Sequence, residues 1–358
     1  MKYKRVYFYA DAFDAFIASE KHKGYDIHII KMQVGLCLNV NNYMKTGGDI
    51  LKKVLILMGG ESQEREVSLR SGRAVHKALL NIGYEAVTLD FTRESLHKVI
   101  EIHPDVVFIA LHGKKGEDGT VQGFLDLLDI PYTGSGVAAS AICMNKILSK
   151  KMFSFENIPT ADYMILDKHF LDEAEVNIDA LIDNIGLPMV IKAATQGSSI
   201  GTFIVRKREM IENAIRDALN FDSEVLAEKF IDGVEITASV IGNQTAVVLP
   251  LIEITAVNEF YDYESKYTPG MCSHIIPARI DQSASKKIEE IAARTYEAFH
   301  CRGFARIDLI VDKKGDPYVL EVNTVPGMTE MSLVPDAARA AGMEFEQLVD
   351  HLVKLALE

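Results

Sequence analysis

The chain has 358 residues, 48% of them hydrophobic and 25% charged, enough for a large core divided among two or three domains. A formal net charge of −13 argues against nucleic acid as a main partner, since phosphate contacts need clustered Lys and Arg, and leaves anionic substrates to a local basic pocket. No apolar run is long enough to span a bilayer, Asp11 and Asp14 interrupt the apolar stretch near the N-terminus, and the scattered cysteines (Cys37, Cys143, Cys272, Cys301) form no C-x-x-C pair, so reduced thiols, no membrane association and a cytoplasmic setting are expected.

Residues 1–53 are aromatic-rich (Tyr3, Tyr7, Phe8, Tyr9, Phe13, Phe16) and show no clear period. The chain then becomes regular. KVLILMGG (53–60) reads as a buried strand closing in glycines, and EREVSLRSGRAVHKALLNIGY (64–84) as an amphipathic helix. EAVTLDF (85–91) is a second strand. PDVVFIALHG (104–113) is a third, and its unbroken apolar run suits a parallel strand covered on both faces. VQGFLDLLDI (121–130) is a short helix. This alternation predicts a small open α/β unit over residues 54–144. Glu64 falls where a glycine turn enters a helix, a place where an acid also serves plain dipole compensation. His112 ends a buried strand, where open α/β sheets bind ligands.

The next unit, residues 145–235, holds a helix with Lys146 and the strand LPMVIKAA carrying Lys192. It continues with the loop QGSSIG, the strand TFIVRK, a helix and the strand EVLAEKFI. An antiparallel sheet backed by helices is expected. Backbone N–H groups and the Ser198 and Ser199 hydroxyls can cradle phosphates beside Lys192, although the G-K-[ST] order of a Walker loop is absent. Glu228 can bond a ribose or a base and Glu235 a ribose, and Phe230 and Ile231 can offer backbone groups to a base; both acids also suit a solvated surface.

The last unit, residues 236–358, contains long strands, the tyrosine-rich loop FYDYESKYTPGM (260–271), a helix at 285–300, a hairpin and a final helix. The hairpin is FARIDLIVDKKGDPYVLEVNTVPGM (304–328). Alternation puts Arg306, Asp308 and Ile310 on one face, and Glu321, Asn323 and Val319 on one face of the partner strand. A turn centred at 314–315 sets Asp308 opposite Glu321 and Arg306 near Asn323. Facing carboxylates destabilise a sheet unless neutralised. An Asp, a Glu and an Asn oxygen suit Mg²⁺ shared with phosphates, with Arg306 beside them for an anion or oxyanion. A solvated polar face with Arg306 paired to a carboxylate gives the same pattern. Ser332 follows in NTVPGMTEMSLVP and also suits a helix cap.

Together, GGESQEREVSLRSG, ALHGKKGEDGTVQG, PYTGSGV, GSSIG, YDYESKY, GFARIDL and EVNTVPGMTEMSLVP make the chain from Lys53 onward resemble the D-alanine–D-alanine ligases of the ATP-grasp superfamily. The resemblance implies an α/β fold: an N-terminal open parallel α/β domain, then a two-subdomain ATP-grasp part of α+β character. It implies ATP and two Mg²⁺ ions, with Mn²⁺ able to stand in, held by Asp308, Glu321 and Asn323. It places Lys146, Lys192, Ser199, Glu228, Lys229, Phe230, Ile231 and Glu235 around ATP. Glu64 matches the acid that binds the first D-alanine's ammonium, with His112 nearby for proton transfer. Arg306 and the Gly327 backbone match the oxyanion site. Ser332, Leu333 and Lys266, with Tyr261 on the same loop, match the second substrate's site. Ser198 and Tyr267 match a hydrogen-bonded set with Glu64 that closes a loop.

The implied reaction is ligation of two D-alanines through an acyl phosphate for peptidoglycan precursors, in a homodimeric cytoplasmic enzyme. D-lactate as acceptor, or another carboxylate–amine ligation, is the alternative; Tyr267, where D-lactate ligases usually have Phe, favours an amine. Intact Asp308, Glu321, Asn323 and Lys192 speak against a non-catalytic nucleotide binder. Ala193 stands where many relatives have proline, and Lys115 where glycine is frequent. Residues 1–53 match nothing in the family, and a start near Met44 is expected.

Overall fold

The computed structural model describes residues 52–256 and 272–358. The first unit is built on β1 (Lys53–Met58), followed by α1 (Arg65–Asn81), β2 (Glu85–Asp90), α2 (Leu96–Ile102), β3 (Val106–Ile109) and α3 (Thr120–Asp126). Its strands are parallel in the order β2-β1-β3. All of Val54, Leu55, Ile56 and Leu57 are fully buried, because Val54 and Ile56 face one core while Leu55 and Leu57 face another. That is the physical reason for the unbroken apolar run. Helix α1 comes down tightly: a Cβ on Gly72 would sit 2.5 Å from the Met58 Cβ. Ser68 ties it to the strand ends, accepting from Gly59 N at 2.8 Å and donating to Ala110 O at 2.6 Å.

Two helices follow, α4 (Val137–Met144) and α5 (Lys146–Phe155). Asn145 caps α5, its Oδ1 accepting from Ile147 N and Leu148 N. The middle sheet is antiparallel, order β4-β7-β5-β6, from β4 (Tyr163–Asp167), β5 (Met189–Ala193), β6 (Thr202–Val205) and β7 (Glu224–Lys229). Helices α6 (Ala174–Ile185) and α7 (Ile211–Leu219) back it, and one apolar cluster confined to this unit holds them there.

The last sheet runs β11-β10-β8-β12-β13, with β9 on β8: β8 (Gly233–Ile241), β9 (Val247–Val248), β10 (Ile252–Ala256), β11 (Cys272–Ile275), β12 (Phe304–Asp312) and β13 (Pro317–Asn323). Helix α8 (Gln282–Ala298) covers one face through Ile288, Ala292 and Tyr296. The sequence reading ends the middle unit at residue 235, but β8 crosses that point, since it pairs continuously with β12 from Gly233↔Asp312 to Ile241↔Phe304. It also gives α5 to the middle unit, whereas Phe153 packs against Phe299 in the core of the last one. The single final helix is two, α9 (Leu333–Ala340) and α10 (Phe345–Ala356). Among the described residues no helix is long and apolar enough to cross a membrane, and Cys143, Cys272 and Cys301 are free thiols.

The hairpin register is Arg306↔Asn323 and Asp308↔Glu321, as the turn position predicts. Val319 corrects the expectation. It sits opposite Leu309, not on the carboxylate face, because the register shifts between Asp308 and Leu309. One extra residue, Leu320, is taken up on β13, so Val319 and Leu309 turn into the core.

Candidate active site

A cavity of about 620 Å³ opens between the three units. Its walls include Glu64 and Arg70 of the α1 segment, His112 and Glu117 beyond β3, Lys146 of α5, the Gln196–Ser198 loop, Cys272–His274 of β11, Arg306, Glu321 and Asn323 of the hairpin, and Gly327, Ser332, Leu333 and Asp336. Arg70, Lys146 and Arg306 supply the local positive charge that the acidic composition requires of any anion site.

Glu64 occupies the N-cap position of α1 without capping it; its carboxylate accepts the Ser198 hydroxyl instead, across 134 residues. The Gly/Ser loop is a built turn. Ile200 N donates to Gly197 O and Thr202 N to Ser199 O. Ser198 and Ser199 hold φ of 50° and 61°, a left-handed pair that costs roughly 1–2 kcal/mol per residue and persists only because the loop is tied down. Gly197 lies so close that a Cβ would be 3.0 Å from Glu64 Oε2. Lys146 Nζ fastens the same loop, donating to Gln196 O at 2.6 Å, and lies 3.7 Å from Glu321 Oε2.

His112 is buried, its Nδ1 3.1 Å from Val325 O and 3.4 Å from Glu117 Oε1. Burial opposes charge on both partners. It lifts the Glu117 carboxyl; on His112 it is outweighed by Glu117 and, at longer range, Glu64, so the imidazole pKa also rises. The pair therefore holds on to a proton. Glu117→Gln should lower the His112 pKa, read by an NMR titration of its ring protons; an unmoved titration would assign the effect elsewhere.

On the hairpin, Asp308 is buried and fully engaged. Its Oδ1 accepts from Thr237 Oγ1 (2.6 Å) and Arg306 Nε (2.9 Å), and its Oδ2 from Arg306 Nη2 (2.8 Å) and Asn323 Nδ2 (2.9 Å). Facing carboxylates are thus neutralised here by Arg306 and Lys146.

Outside the cavity lining, between α5 and the middle sheet, lies a buried charge cluster. Glu228 Oε2 accepts from Lys192 Nζ at 2.6 Å, and Oε1 lies 3.0 Å from Lys150 Nζ. Burial disfavours the Glu228 anion, yet the two lysines more than compensate and hold its pKa down at about 2. The lysines diverge. Burial wins at Lys150 and lowers its pKa, while at Lys192 attraction to Glu228 outweighs burial and raises it.

Comparison with known proteins decides what these features belong to. A family model described as D-ala D-ala ligase C-terminus matches residues 152–354, and one described as D-ala D-ala ligase N-terminus matches residues 93–135. A D-alanine–D-alanine ligase of Desulforudis audaxviator is 51% identical over 310 residues, 86% of this chain and 100% of that one. The chain belongs to the D-alanine–D-alanine ligase family. Solved relatives agree in fold. A D-alanine–D-alanine ligase of Bacillus anthracis complexed with ATP superimposes with a TM-score of 0.73 at 35% identity, covering 86% of this chain and 97% of that one. A D-Ala:D-Ser ligase of Enterococcus faecalis does so at 0.74 and 32%, covering 86% and 100%. The architecture is therefore the ATP-grasp arrangement of D-alanine–D-alanine ligases, with a parallel N-terminal sheet and two antiparallel sheets.

Of the residues singled out by sequence for a D-alanine–D-alanine ligase, Glu64, His112, Lys146, Ser198, Arg306, Glu321, Asn323, Gly327, Ser332 and Leu333 line the cavity. Asp308, Lys192 and Glu228 stand outside that lining. Phe230 N donates to Pro188 O, so its carbonyl is the backbone group it can offer, and its ring carries the Arg206 guanidinium at 5.6 Å. Lys229 N donates to Asp162 O. Glu235 lies on β8 opposite Ile310, and Ile231 in the connector before that strand. Ser332 begins α9, but its hydroxyl accepts from Thr329 N at 3.0 Å instead of capping the helix, and a Cβ on Gly327 would be 2.9 Å from it. Tyr261, Lys266 and Tyr267 lie outside the described residues, as does Met44.

Sequence reasoning missed Lys150, Glu117, Thr237 and the His274–Asp336 pair. Only Lys150 left a trace, one helical turn after Lys146. Among the described residues no three His, Cys, Asp or Glu side chains converge on a metal position. The two carboxylates and one amide of the hairpin are nevertheless a hard oxygen set, once the Asn323 amide is turned to present its oxygen.

Proposed function

We propose that the chain joins two D-alanine molecules into D-alanyl-D-alanine at the expense of ATP, for peptidoglycan precursors. The observation that carries this is the cavity itself. One space is shared by the Glu64–Ser198 acid, the Arg306 guanidinium and the start of α9 at Ser332 and Leu333. That supplies an ammonium site, an oxyanion donor and a carboxylate site in one enclosure.

Glu64 holds the ammonium of the first D-alanine, with Ser198 fixing the carboxylate's orientation. The substrate carboxylate attacks the γ-phosphorus of ATP, forming an acyl phosphate and releasing ADP. Lys192, Lys146 and the Ser198–Ser199 loop amides hold phosphate charge, which is most of what phosphoryl transfer asks of a protein. Glu228, Lys229, Phe230, Ile231 and Glu235 receive the nucleoside. Asp308, Glu321 and Asn323 would hold Mg²⁺, which when bound neutralises phosphate oxygens. The second D-alanine lies with its carboxylate at Ser332, Leu333 and Lys266, beside Tyr261. Its ammonium first gives up a proton; the amine then attacks the acyl carbon, Arg306 and the Gly327 N–H take the oxyanion, the acyl C–O bond breaks, and phosphate leaves as the nitrogen loses its second proton. His112 holds a proton beside the first substrate. Tyr267 and Ser198 close the loop over the intermediate and keep water out. On this reading the first unit holds the first substrate, the middle sheet the nucleotide, and the last sheet with α9 the metal and acceptor. A cytoplasmic homodimer is proposed on the resemblance alone.

Ser198→Ala should raise the KM for the first D-alanine roughly tenfold, the worth of one hydrogen bond to a charged group. Steady-state kinetics with both D-alanine sites resolved would read it, and an unchanged KM would detach Ser198 from substrate binding. The function itself is tested by a panel of D- and L-amino acids and D-lactate with ATP and Mg²⁺. D-Alanyl-D-alanine with stoichiometric phosphate is expected. A panel yielding no D-amino-acid dipeptide overturns the reading. D-lactate outcompeting D-alanine across pH overturns the amine acceptor.

A further inference from the structure

Cys272 and His274 are two residues apart on β11, so they share a face of the sheet, and both line the cavity. His274 Nδ1 lies 2.7 Å from Asp336 Oδ2, on the first turn of α9, and His274 Nε2 lies 4.0 Å from Cys272 Sγ. The other Asp336 oxygen accepts from Arg339 Nη1 at 2.9 Å, which fixes the carboxylate in place. A carboxylate only accepts, so Nδ1 carries the ring proton and Nε2 of the neutral imidazole faces the thiol as an acceptor. Thiol, imidazole and carboxylate thus stand in the order of a nucleophile, its base and the group that orients the base. The proposed ligation assigns no role to any of the three.

We propose that Cys272 is a nucleophilic modification site that takes small, soft electrophiles of the α-haloamide class from within the cavity. His274 Nε2 accepts the thiol proton as the sulfur displaces the halide; the S–C bond forms, the carbon–halogen bond breaks, and the proton leaves the Asp336-held imidazolium for solvent. Cys143 is the internal contrast. It also touches the cavity, but burial and the neighbouring Cys301 push its thiol well above the usual range, which keeps it protonated. An adduct on Cys272 occupies the space beside α9 where the proposed reading puts the second substrate, and that part of the inference rests on the reading.

The full chain is treated with limiting iodoacetamide near about pH 7, and each cysteine is followed by peptide mass mapping. Cys272 should react at least roughly tenfold faster than Cys143 and Cys301. His274→Gln and Asp336→Asn should each slow Cys272 roughly tenfold, as the thiolate falls back to the few per cent of an unassisted thiol. Having both variants keeps the test usable if one melts unlike the parent. Treated protein should lose dipeptide synthesis, while Cys272→Ser protein treated identically keeps the rate it had beforehand. Cys272 reacting no faster than the buried thiols, reacting equally fast in both variants, or carrying the label with no loss of synthesis would each overturn the proposal. Labelling rates are read without catalysis, so a chain that makes no dipeptide overturns the ligation reading and leaves the thiol to be decided by the rates.

Discussion

Replacing Arg306 with alanine is expected to lower dipeptide synthesis by about 10²–10³-fold while ATP still binds. The proposed oxyanion donor is a planar fork already held rigid, because Nε and Nη2 both rest on Asp308. A preorganised donor loses little on reaching the transition state, so its removal is felt in kcat. The same fork neutralises a buried carboxylate, and breaking a buried pair costs about 3–5 kcal/mol. Arg306→Lys separates the two roles. It keeps a positive charge beside Asp308 but loses the bidentate geometry, so it should fold better than Arg306→Ala and still be slow. The measurements are steady-state kinetics, nucleotide affinity and a melting curve on each variant. Wild-type turnover in well-folded Arg306→Ala would remove Arg306 from the chemistry.

The second large effect is on stability. Glu228→Gln should destabilise the fold by about 3–5 kcal/mol, because it leaves Lys150 and Lys192 buried beside each other without their shared anion. The pH dependence has a definite sign. Glu228 is depressed from 4.5 to about 2, so its contribution is complete above the unfolded value and drains away as pH falls from 4.5 toward 2. The melting-temperature gap between wild type and Glu228→Gln should therefore be widest above that window and narrow within it. A gap that stays constant across the window would show that Glu228 is not the group being titrated. ATP affinity should fall as well, since Lys192 loses the partner that holds its ammonium in place.

The parts of the fold that follow a simple period were legible in the sequence. The apolar run of β3 announced a doubly covered strand, and alternation with a turn at DKKGDP placed Asp308 opposite Glu321. Val319 was misplaced because a bulge is a backbone event, and nothing in the residue Leu320 marks it. Lys115 shows the reverse case. It adopts φ of 71°, a conformation glycine enters freely, and its ammonium is tied to Glu61. Lys150 and Glu117 were invisible because each reads locally as a surface charge, and only the tertiary fold buries Lys150 against Glu228 and brings the half-buried Glu117 to His112. Asp336 reaches His274 across 62 residues, a pairing that no local pattern encodes.

The division of the apolar cores has a mechanical consequence. One core runs without a break from β1, α1 and β3 into α9 and α10, so the wall carrying Glu64 and His112 and the wall carrying Ser332 are parts of a single block. The middle sheet keeps its own core, and polar ties such as Ser198 to Glu64 and Lys146 to Gln196 fasten its loop to that block. The molecule is in effect a fixed anvil with a loop fastened over it by polar ties. Lifting that loop breaks a few hydrogen bonds that water can replace, whereas separating the two halves of the anvil would expose a hydrophobic interior. On the proposed reading, the loop can open for nucleotide exchange while the two amino-acid seats keep their spacing.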